Sequence, residues 1–181
     1  YDQRYFIEGS YRRDGSSRFA KDHRWGNFWS LGGSWVISNE QFMKPVAWVD
    51  FLKLRASYGE VGNDQGAGYY AYKGLYGFNQ NAGELAIVAN QFAAPDLKWE
   101  TTQSFDIGID LRLWNRLDVT IDYFSKRSKD LLYNENLPQS AGSISTGDVN
   151  PYIPRNFGSV KNYGVEIALN ADLIRTKDWR W

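Results

Sequence analysis

The chain has 181 residues, and its 21 lysines and arginines balance its 21 aspartates and glutamates, so the formal net charge is zero. This balance gives no indication of the basic surface on which nucleic-acid binding depends. The absence of cysteine excludes disulfides, thiolate zinc sites and cysteine nucleophiles. A single histidine, His23, argues against a multi-histidine metal centre or a Ser-His-Asp triad, and we expect no metal or cofactor. The chain begins at Tyr1 and ends at Trp181 in a run that resembles the start of a strand, so we expect an excerpt of a longer protein or a processed product.

The first part of the chain predicts three strands, at 3–13, 24–37 and 51–59. Apolar and polar residues alternate there with the period of two that places successive side chains on opposite faces of a strand. The apolar face is predicted to carry Tyr5, Ile7, Tyr11, Trp25, Trp29, Leu31, Trp35, Ile37, Leu52, Leu54, Ala56 and Tyr58. The residues that interrupt the alternation are Phe6, Phe28 and Val36.

The later part predicts three more strands, at 103–113, 116–126 and 161–173, and a seventh that begins near Trp179. The first of these is the clearest. Its apolar face has Phe105, Ile107, Ile109, Leu111 and Leu113, and its polar face has Ser104, Asp106, Gly108, Asp110 and Arg112. A three-residue turn at 114–116 is predicted to set Leu113 opposite Leu117 and Arg112 opposite Asp118, because other registers place polar residues on the apolar face or like charges together.

Strand length and composition indicate a membrane barrel. The strands approach the roughly 9–11 residues that span a bilayer when tilted, whereas strands of soluble proteins usually have about 5–6. Their polar faces carry small and charged residues, which suit a wet lumen. Aromatic residues make up 17% of the chain, and tryptophan and tyrosine favour membrane–water boundaries. The pattern predicts an all-β chain, an antiparallel up-and-down transmembrane β-barrel segment of about six to seven strands.

The connections between the predicted strands suggest which side each one occupies. Barrels of the outer membrane have short periplasmic turns and long external loops. Successive connections of an up-and-down sheet alternate between its two ends. The short turns at 114–116 and 175–178 therefore fall at the same end, and we assign that end to the periplasm. The same parity places 14–23, 60–102 and 127–158 outside.

The connection at 38–50 falls on the periplasmic side and is long for that side. We predict a short helical turn at 38–43, with Ser38 or Asn39 as its cap, that takes up part of this length.

Two acidic pairs are the nearest approach to a catalytic motif. Asp106 with Asp110, and Asp118 with Asp122, lie two strand steps apart on one polar face. Paired carboxylates can perform acid–base chemistry on a glycosidic bond. Pairing with arginine or lysine across the sheet is the stronger interpretation, so we predict no enzyme activity.

Four tryptophans, Trp25, Trp35, Trp48 and Trp99, fall near predicted strand ends, where the headgroups of a bilayer would lie. We predict that they form an interfacial belt, the role that tryptophan commonly takes in membrane proteins. Stacking on sugar rings is the alternative.

Four tyrosines in the long connection 60–102 are candidate contacts for sugar or peptide. They are Tyr69, Tyr70, Tyr72 and Tyr76. Their rings offer flat apolar surface on which such molecules can pack.

Several segments, taken in order, resemble the C-terminal part of the barrel in SusC/RagA-like TonB-dependent transporters. They cover almost the whole chain. They are Tyr11-Arg12-Arg13-Asp14-Gly15-Ser16-Ser17-Arg18-Phe19 followed by Arg24-Trp25-Gly26; Leu52-Lys53-Leu54-Arg55-Ala56-Ser57-Tyr58-Gly59 followed by Gly62-Asn63; Pro95-Asp96-Leu97-Lys98-Trp99-Glu100-Thr101-Thr102; Asp122-Tyr123-Phe124 with Lys129-Asp130-Leu131-Leu132; and Gly158-Ser159-Val160-Lys161-Asn162-Tyr163-Gly164-Val165-Glu166.

The resemblance implies an outer-membrane, multi-pass barrel of roughly 22 strands that is closed by an N-terminal plug. It implies a SusD-like surface lipoprotein that caps the barrel, a TonB complex that pulls on the plug, and a cargo of oligosaccharide or peptide. The loop tyrosines then become candidate contacts for the lid as well as for cargo. We find neither plug nor TonB-contact segment in residues 1–181, so the whole chain is predicted to be a partial barrel domain.

Two rival interpretations remain open at this point. The first is a secreted carbohydrate-binding β-sandwich, which needs no membrane and gathers its aromatic residues on one platform. The second is an outer-membrane enzyme that depends on Asp110 or Asp118.

Overall fold

The computed structural model describes residues 1–138, 151–174, 177 and 179. Its strands in chain order are β1 (Tyr5–Gly15), β2 (Trp25–Val36), β3 (Val49–Asn63), β4 (Leu75–Asn81), β5 (Glu84–Gln91), β6 (Glu100–Leu113), β7 (Leu117–Lys129), β8 (Leu132–Asn136), β9 (Tyr152–Asn156) and β10 (Ser159–Ala171). Six of them form one sheet in the order β1-β2-β3-β6-β7-β10, which we call the wall sheet. The other four form a second sheet in the order β4-β5-β9-β8, which we call the loop sheet.

The wall sheet contains the strands that alternation predicts, and each is antiparallel to its neighbours. The all-β, antiparallel prediction is therefore confirmed. Several strands continue further than predicted at the end nearest the long connections: β3 extends to Asn63, β6 begins at Glu100 and β7 ends at Lys129. The extension of β3 beyond residue 59 passes through Gly62.

The apolar faces of the six wall strands merge into one surface. Leu54 of β3, for example, lies between Trp35 of β2 and Ile109 of β6 in a single row. Many large apolar side chains of this surface are exposed, including Ile7 on β1 and Leu169 on β10. The opposite face of the sheet is polar along most of its length.

The hairpin between β6 and β7 has the predicted register. Leu113 pairs with Leu117, Arg112 with Asp118, Asp110 with Thr120 and Gly108 with Asp122. Trp114 and Asn115 have positive φ angles of 52° and 51°, and the amide of Arg116 donates to the carbonyl of Leu113 over 3.0 Å to close the turn. Arg112 contacts Asp118 through two hydrogen bonds of 2.6 and 3.0 Å.

Alternation does not predict the loop sheet, because it indicates strands only in the wall and treats 60–102 and 127–158 as loops. Its strands have only five to eight residues. Their alternation is weak: β5 places apolar residues on both faces, and β9 contains Pro154 in its middle. Such short, irregular segments acquire strand structure from their neighbours in the sheet, which a local pattern does not reveal.

The connection at 37–48 contains two short 3₁₀ turns, Ile37–Asn39 and Gln41–Met43. A helical turn in this region is thus confirmed, but its predicted cap is wrong. The residues before the two turns are Val36 and Glu40, and neither gives a side-chain cap hydrogen bond. The acceptor that organises this connection is Glu40, through long-range contacts that a capping pattern does not contain.

Two predictions at the C-terminal end remain open. The turn at 175–178 lies outside the described residues except for residue 177. Trp179 is described and has no strand assignment, while its neighbours at 178, 180 and 181 lie outside the described residues. Across residues 1–138 and 151–174, no helix has the length and apolar character that crossing a membrane requires.

Candidate functional site

The polar face of the wall sheet carries an ion cluster that bridges three strands. Arg55 on β3 contacts Asp110 on β6 at 3.0 Å and Asp122 on β7 at 2.7 Å. The hydroxyl of Thr120 donates to Asp110 over 3.2 Å. The cluster thus joins β3 to β7 across the full width of β6.

Gly108 makes this bridge sterically feasible. It occupies the middle of the row that runs from Arg55 through Gly108 to Asp122. A Cβ atom at this position would lie 2.1 Å from Oδ1 of Asp122 and 2.8 Å from Cζ of Arg55. Only a residue without a side chain leaves room for the guanidinium to cross the strand.

These contacts weaken the hypothesis of acid–base chemistry. Asp110 and Asp122 both bind Arg55, and Asp118 binds Arg112. These three carboxylates therefore have the arginine partners that the stronger interpretation of the sequence predicts. Within the described residues, no group of three histidine, aspartate or glutamate side chains is arranged to hold a metal ion.

At the opposite end of the wall sheet from the long loops, Glu40 fixes the 37–48 connection to β1 and β2. Its carboxylate accepts hydrogen bonds from the hydroxyl of Tyr5 at 2.6 Å, from Nε1 of Trp35 at 3.1 Å and from Arg4 at 2.9 Å. Only 9% of Glu40 is exposed. The hydrogen bond from Tyr5, followed by that from Trp35, lowers the pKa of Glu40 below its usual value.

The long connections fold together into one body, which we call the loop platform (residues 14–24, 64–99, 130–138 and 151–158). Its centre is a small apolar core around Phe19, which is fully buried. The other members of this core are Ala67, Ala71, Ala94 and Leu97, with Trp99, Leu132 and Ile153 packed against it.

Phe28 links the loop platform to the wall sheet and explains one exception in the predicted alternation. Its ring is buried on the otherwise polar face and packs edge-on against Trp99, with a centroid distance of 5.5 Å. It lies over two glycines: a Cβ atom would come within 2.5 Å of the ring at Gly26 and within 1.9 Å at Gly62. Phe28 therefore belongs to the underside of the platform and does not face the lumen as a polar-face residue would.

Polar contacts tie separate loops of the platform to one another. Ser16 donates to Asp64 over 2.6 Å, and Arg18 donates to the carbonyl of Ala67. Asn156 donates to the carbonyls of Lys98 at 2.9 Å and Asp130 at 2.8 Å. These contacts connect segments from four different parts of the chain.

Gln91 performs the same role inside the platform. It is 3% exposed, and its amide donates to the carbonyls of Tyr70 and Lys73 at 3.1 and 2.8 Å while its oxygen accepts from Tyr152 at 3.0 Å. A buried amide of this kind stabilises one arrangement of the chain because leaving it unpaired would be costly.

The four candidate tyrosines divide into two groups. Arg18 lies 4.8 Å above the ring of Tyr69, and Lys73 lies 5.3 and 5.5 Å from the rings of Tyr70 and Tyr72. One face of each of these three rings is thus covered by a cation. Tyr76 lies on the β4–β5 hairpin, where 71% of the residue is exposed.

The four candidate belt tryptophans also differ in position. Trp25 is exposed under the guanidinium of Arg13, and Trp48 is exposed beside Trp114 with a centroid distance of 6.1 Å. Trp35 stacks on Tyr5 and binds Glu40.

Trp99 does not occupy the exposed apolar face that a belt residue would. It packs on Phe19 at 5.4 Å, and its Nε1 donates to the carbonyl of Arg24 over 3.1 Å. Its position near a predicted strand end indicates a belt residue, but Phe19 and Arg24, which contact it, are distant in the sequence. The belt hypothesis stays a prediction for Trp25, Trp35 and Trp48.

Comparison with known proteins gives the family of the chain. The family described as TonB dependent receptor-like, beta-barrel matches residues 1–181. The chain belongs to this family. The resemblance to SusC/RagA-like transporters in the sequence is therefore confirmed.

Individual proteins with a similar sequence or structure agree with this family. The chain is 40% identical to TonB-dependent receptor P39 of Formosa agariphila over its whole length and covers 17% of that protein. It is 35% identical to TonB-dependent receptor SusC of Bacteroides thetaiotaomicron over 98% of the chain and 18% of that protein. The structure of the RagAB peptide importer in its "closed-closed" state matches 99% of this chain and 19% of the solved chain, with 30% identity and a TM-score of 0.84. The chain thus spans less than a fifth of these relatives.

Proposed function

We propose that this chain forms part of the wall and mouth of an outer-membrane importer. The observation that carries the proposal is the two-sided wall sheet, which has a continuous, exposed apolar face and a polar face with paired charges. Hydrocarbon covers the first face, and a water-filled lumen lies against the second, as in transmembrane barrels. The hydrogen-bonded ladder satisfies the backbone where no water is present.

The loop platform supplies the mouth. We propose that it lies outside the cell, because barrels of this kind carry their long loops there. The turn at 114–116 and the 37–48 connection lie at the other end of the sheet, and we place them in the periplasm.

The similar proteins suggest the remaining components of the proposed importer. A plug outside this chain would couple it to the TonB complex, and a SusD-like surface lipoprotein would cap the mouth. The cargo is an oligosaccharide or a peptide; one similar structure is described as a peptide importer. Transport of this kind requires no covalent chemistry, so we propose no enzymatic role for the chain.

The β-sandwich alternative receives no support from the packing. A sandwich buries the apolar face of one sheet against a second sheet. The apolar face of the wall sheet is exposed along β1 and β10, where Ile7 is 84% exposed and Leu169 is 68% exposed.

Deletion of the gene for the full-length receptor tests the proposal. We expect the deletion strain to lose growth on one class of oligosaccharide or peptide, and the receptor to sediment with outer membranes. Complementation should fail in a strain that lacks TonB. Undiminished uptake of every oligomer tested, or a full-length receptor outside the membrane fraction, would contradict it.

A further inference from the structure

The apolar face of the wall sheet changes character toward the end that carries the loop platform. On β7 this face has Ile121, then Tyr123 and, near the end of the strand, Arg127. On the neighbouring strand β10, Tyr163 is followed at the same end by Lys161. The face therefore passes from aliphatic to aromatic and then to basic residues.

Arg127 and Lys161 are direct cross-strand neighbours that carry the same charge, and both are exposed. Side chains at such positions have Cβ atoms about 5 Å apart, and like charges there repel each other. Lys129 adds a third cation on the same face of β7, two positions beyond Arg127. We call Arg127, Lys129 and Lys161 the basic rim.

Among the described residues, no carboxylate forms an ion pair with the basic rim. Glu60 lies in the same row as Arg127, but β6 runs between them, which separates the two strands by about 10 Å. Asp130 follows Lys129 in the chain and binds Lys98 at 3.1 Å. The described part of the chain thus supplies no counter-ion to the rim.

The polar face of the same sheet places its charges differently. Arg55 lies between Asp110 and Asp122, and Arg112 lies opposite Asp118. Cross-strand charges of opposite sign stabilise a sheet. The like-charge pair on the apolar face is therefore a position where an external anion would relieve repulsion.

The height of the rim along the strand indicates where this anion is found. Arg127 follows Ile121 by six positions, and Ile121 pairs with Ile109 in the middle of the apolar face. At roughly 3.4 Å per residue and a strand tilt of about 40°, six positions rise about 15 Å. This is half of a hydrocarbon core of about 30 Å. With the isoleucine pair at the midplane, the rim lies where the lipid headgroups begin.

We propose that the basic rim binds the phosphate group of a lipid in the outer leaflet. This inference rests on the proposed function, which places lipid against the apolar face and the loop platform outside the cell. The guanidinium of Arg127 can bind two phosphate oxygens at once, and Lys161 supplies a second charge from the neighbouring strand. Nζ of Lys161 lies 5.4 Å from the ring centre of Tyr163, a residue type that favours this level of a bilayer.

The test uses the full-length receptor, purified in non-ionic detergent and stripped of lipid, with phosphorylated lipid A as the probe. Native mass spectrometry measures how much of this lipid the receptor retains. We expect about tenfold more retention than for the same lipid after enzymatic removal of its phosphates, the loss expected for hydrogen bonds to a charged group. Inorganic phosphate alone should leave the melting temperature of the receptor unchanged, because it has no acyl chains to hold it at the rim.

Lys161→Glu separates lipid binding from a structural role, because it places a carboxylate opposite Arg127 and replaces repulsion by attraction. We expect the melting temperature of the receptor to stay equal or to rise, while retention of phosphorylated lipid A falls about tenfold. Lys126→Glu is the matched control. It makes the same change of charge on the preceding residue of β7, which lies on the polar face opposite Asn162, and should leave retention unchanged.

Several results would overturn the inference and leave the importer intact. They are equal retention of the two forms of lipid A, undiminished retention by Lys161→Glu, equal loss in Lys126→Glu, and a melting temperature that inorganic phosphate alone raises as much as the lipid does. A marked fall in the melting temperature of Lys161→Glu would also overturn it, because the rim would then be paired within the receptor.

The comparison of the two lipids uses the unaltered receptor, so it decides the matter even where a variant fails to fold. A full-length receptor outside the membrane fraction would instead refute the proposed function, and the inference with it.

Discussion

At the residue scale, Gly108 shows how the absence of a side chain can shape a polar wall. Periodicity predicts that residue 108 faces the lumen, and it also predicts charges at 106, 110 and 122. It does not predict that Arg55 from a strand 53 positions earlier crosses above this glycine, because a pattern within one strand contains no information about a partner two strands away. Arg55 was visible in the sequence only as one polar residue in an alternating segment.

Gly108→Ala should destabilise the barrel, because the added methyl group would displace the bridge between Arg55 and Asp122. We expect a cost of about 1–3 kcal/mol, the range for forcing extra volume into a filled site. Urea unfolding of the full-length receptor in lipid vesicles measures it. Gly32→Ala is the matched control, since its Cβ atom would meet its neighbours at 3.8 Å or more. Equal effects of the two substitutions would show that the bridge contributes nothing.

The facing of the wall can be tested at Ile109. If this side chain points to lipid near the midplane, Ile109→Arg should cost about 2–4 kcal/mol in the same unfolding measurement. Ser57→Arg introduces the same group on the polar face of a neighbouring strand, beside Asp106 in the same row, and should be tolerated. The opposite ranking of the two variants would mean that the faces are reversed.

At the element scale, wall strands and loop strands differ in how far the sequence predicts them. A wall strand displays its period because lipid and lumen act along its whole length, so residues 103–113 predict both the strand and its hairpin register. The loop platform depends instead on a few distant contacts, such as Phe28 over Gly62 and Gln91 against Tyr152. The exceptions Phe28 and Val36, both buried, were the only local sign that the polar face is covered at those points.

Gly62→Ala should loosen the loop platform without unfolding the wall, because a Cβ atom there would overlap the ring of Phe28 at 1.9 Å. We expect faster proteolysis within 64–99 of the full-length receptor in membranes, with an unchanged unfolding midpoint of the barrel. Gly68→Ala is the control, since nothing lies within 4 Å of its added atom. Unaltered proteolysis in Gly62→Ala would contradict the role assigned to Phe28.

The 37–48 connection should respond to pH through Glu40. The folded protein lowers the pKa of this carboxyl, so its contribution to stability is complete above the ordinary pKa of glutamate and is lost as the pH falls through the lowered value. Glu40→Gln should therefore expose the connection to protease at neutral pH, whereas the unaltered protein becomes sensitive only in acid. A periplasmic protease assay on spheroplasts at several pH values measures this, and Glu84→Gln in the exposed hairpin turn is the control. Identical pH profiles for Glu40→Gln and the unaltered protein would show that Glu40 does not hold the connection.

At the scale of the whole molecule, strand parity fixes which connections share a side, but the assignment of sides to periplasm and exterior is still a prediction. An epitope inserted near Gly142, a position outside the described residues, should be bound by antibody on intact cells. The same epitope after Lys44, in the 37–48 connection, should be detected only after permeabilisation. The reverse result would invert the topology and remove the loop platform from the mouth.

The bridge above Gly108 also constrains the order in which the wall can be built. Arg55 meets Asp110 once β6 has joined β3, but it reaches Asp122 only after β7 has paired with β6 in register. A slip of one residue along β7 would turn the carboxylate to the lipid face and leave half of the bridge unmade. Arg55 therefore contacts both carboxylates only when β7 lies in the correct register on β6, and removal of β7 from the finished sheet breaks one of these contacts.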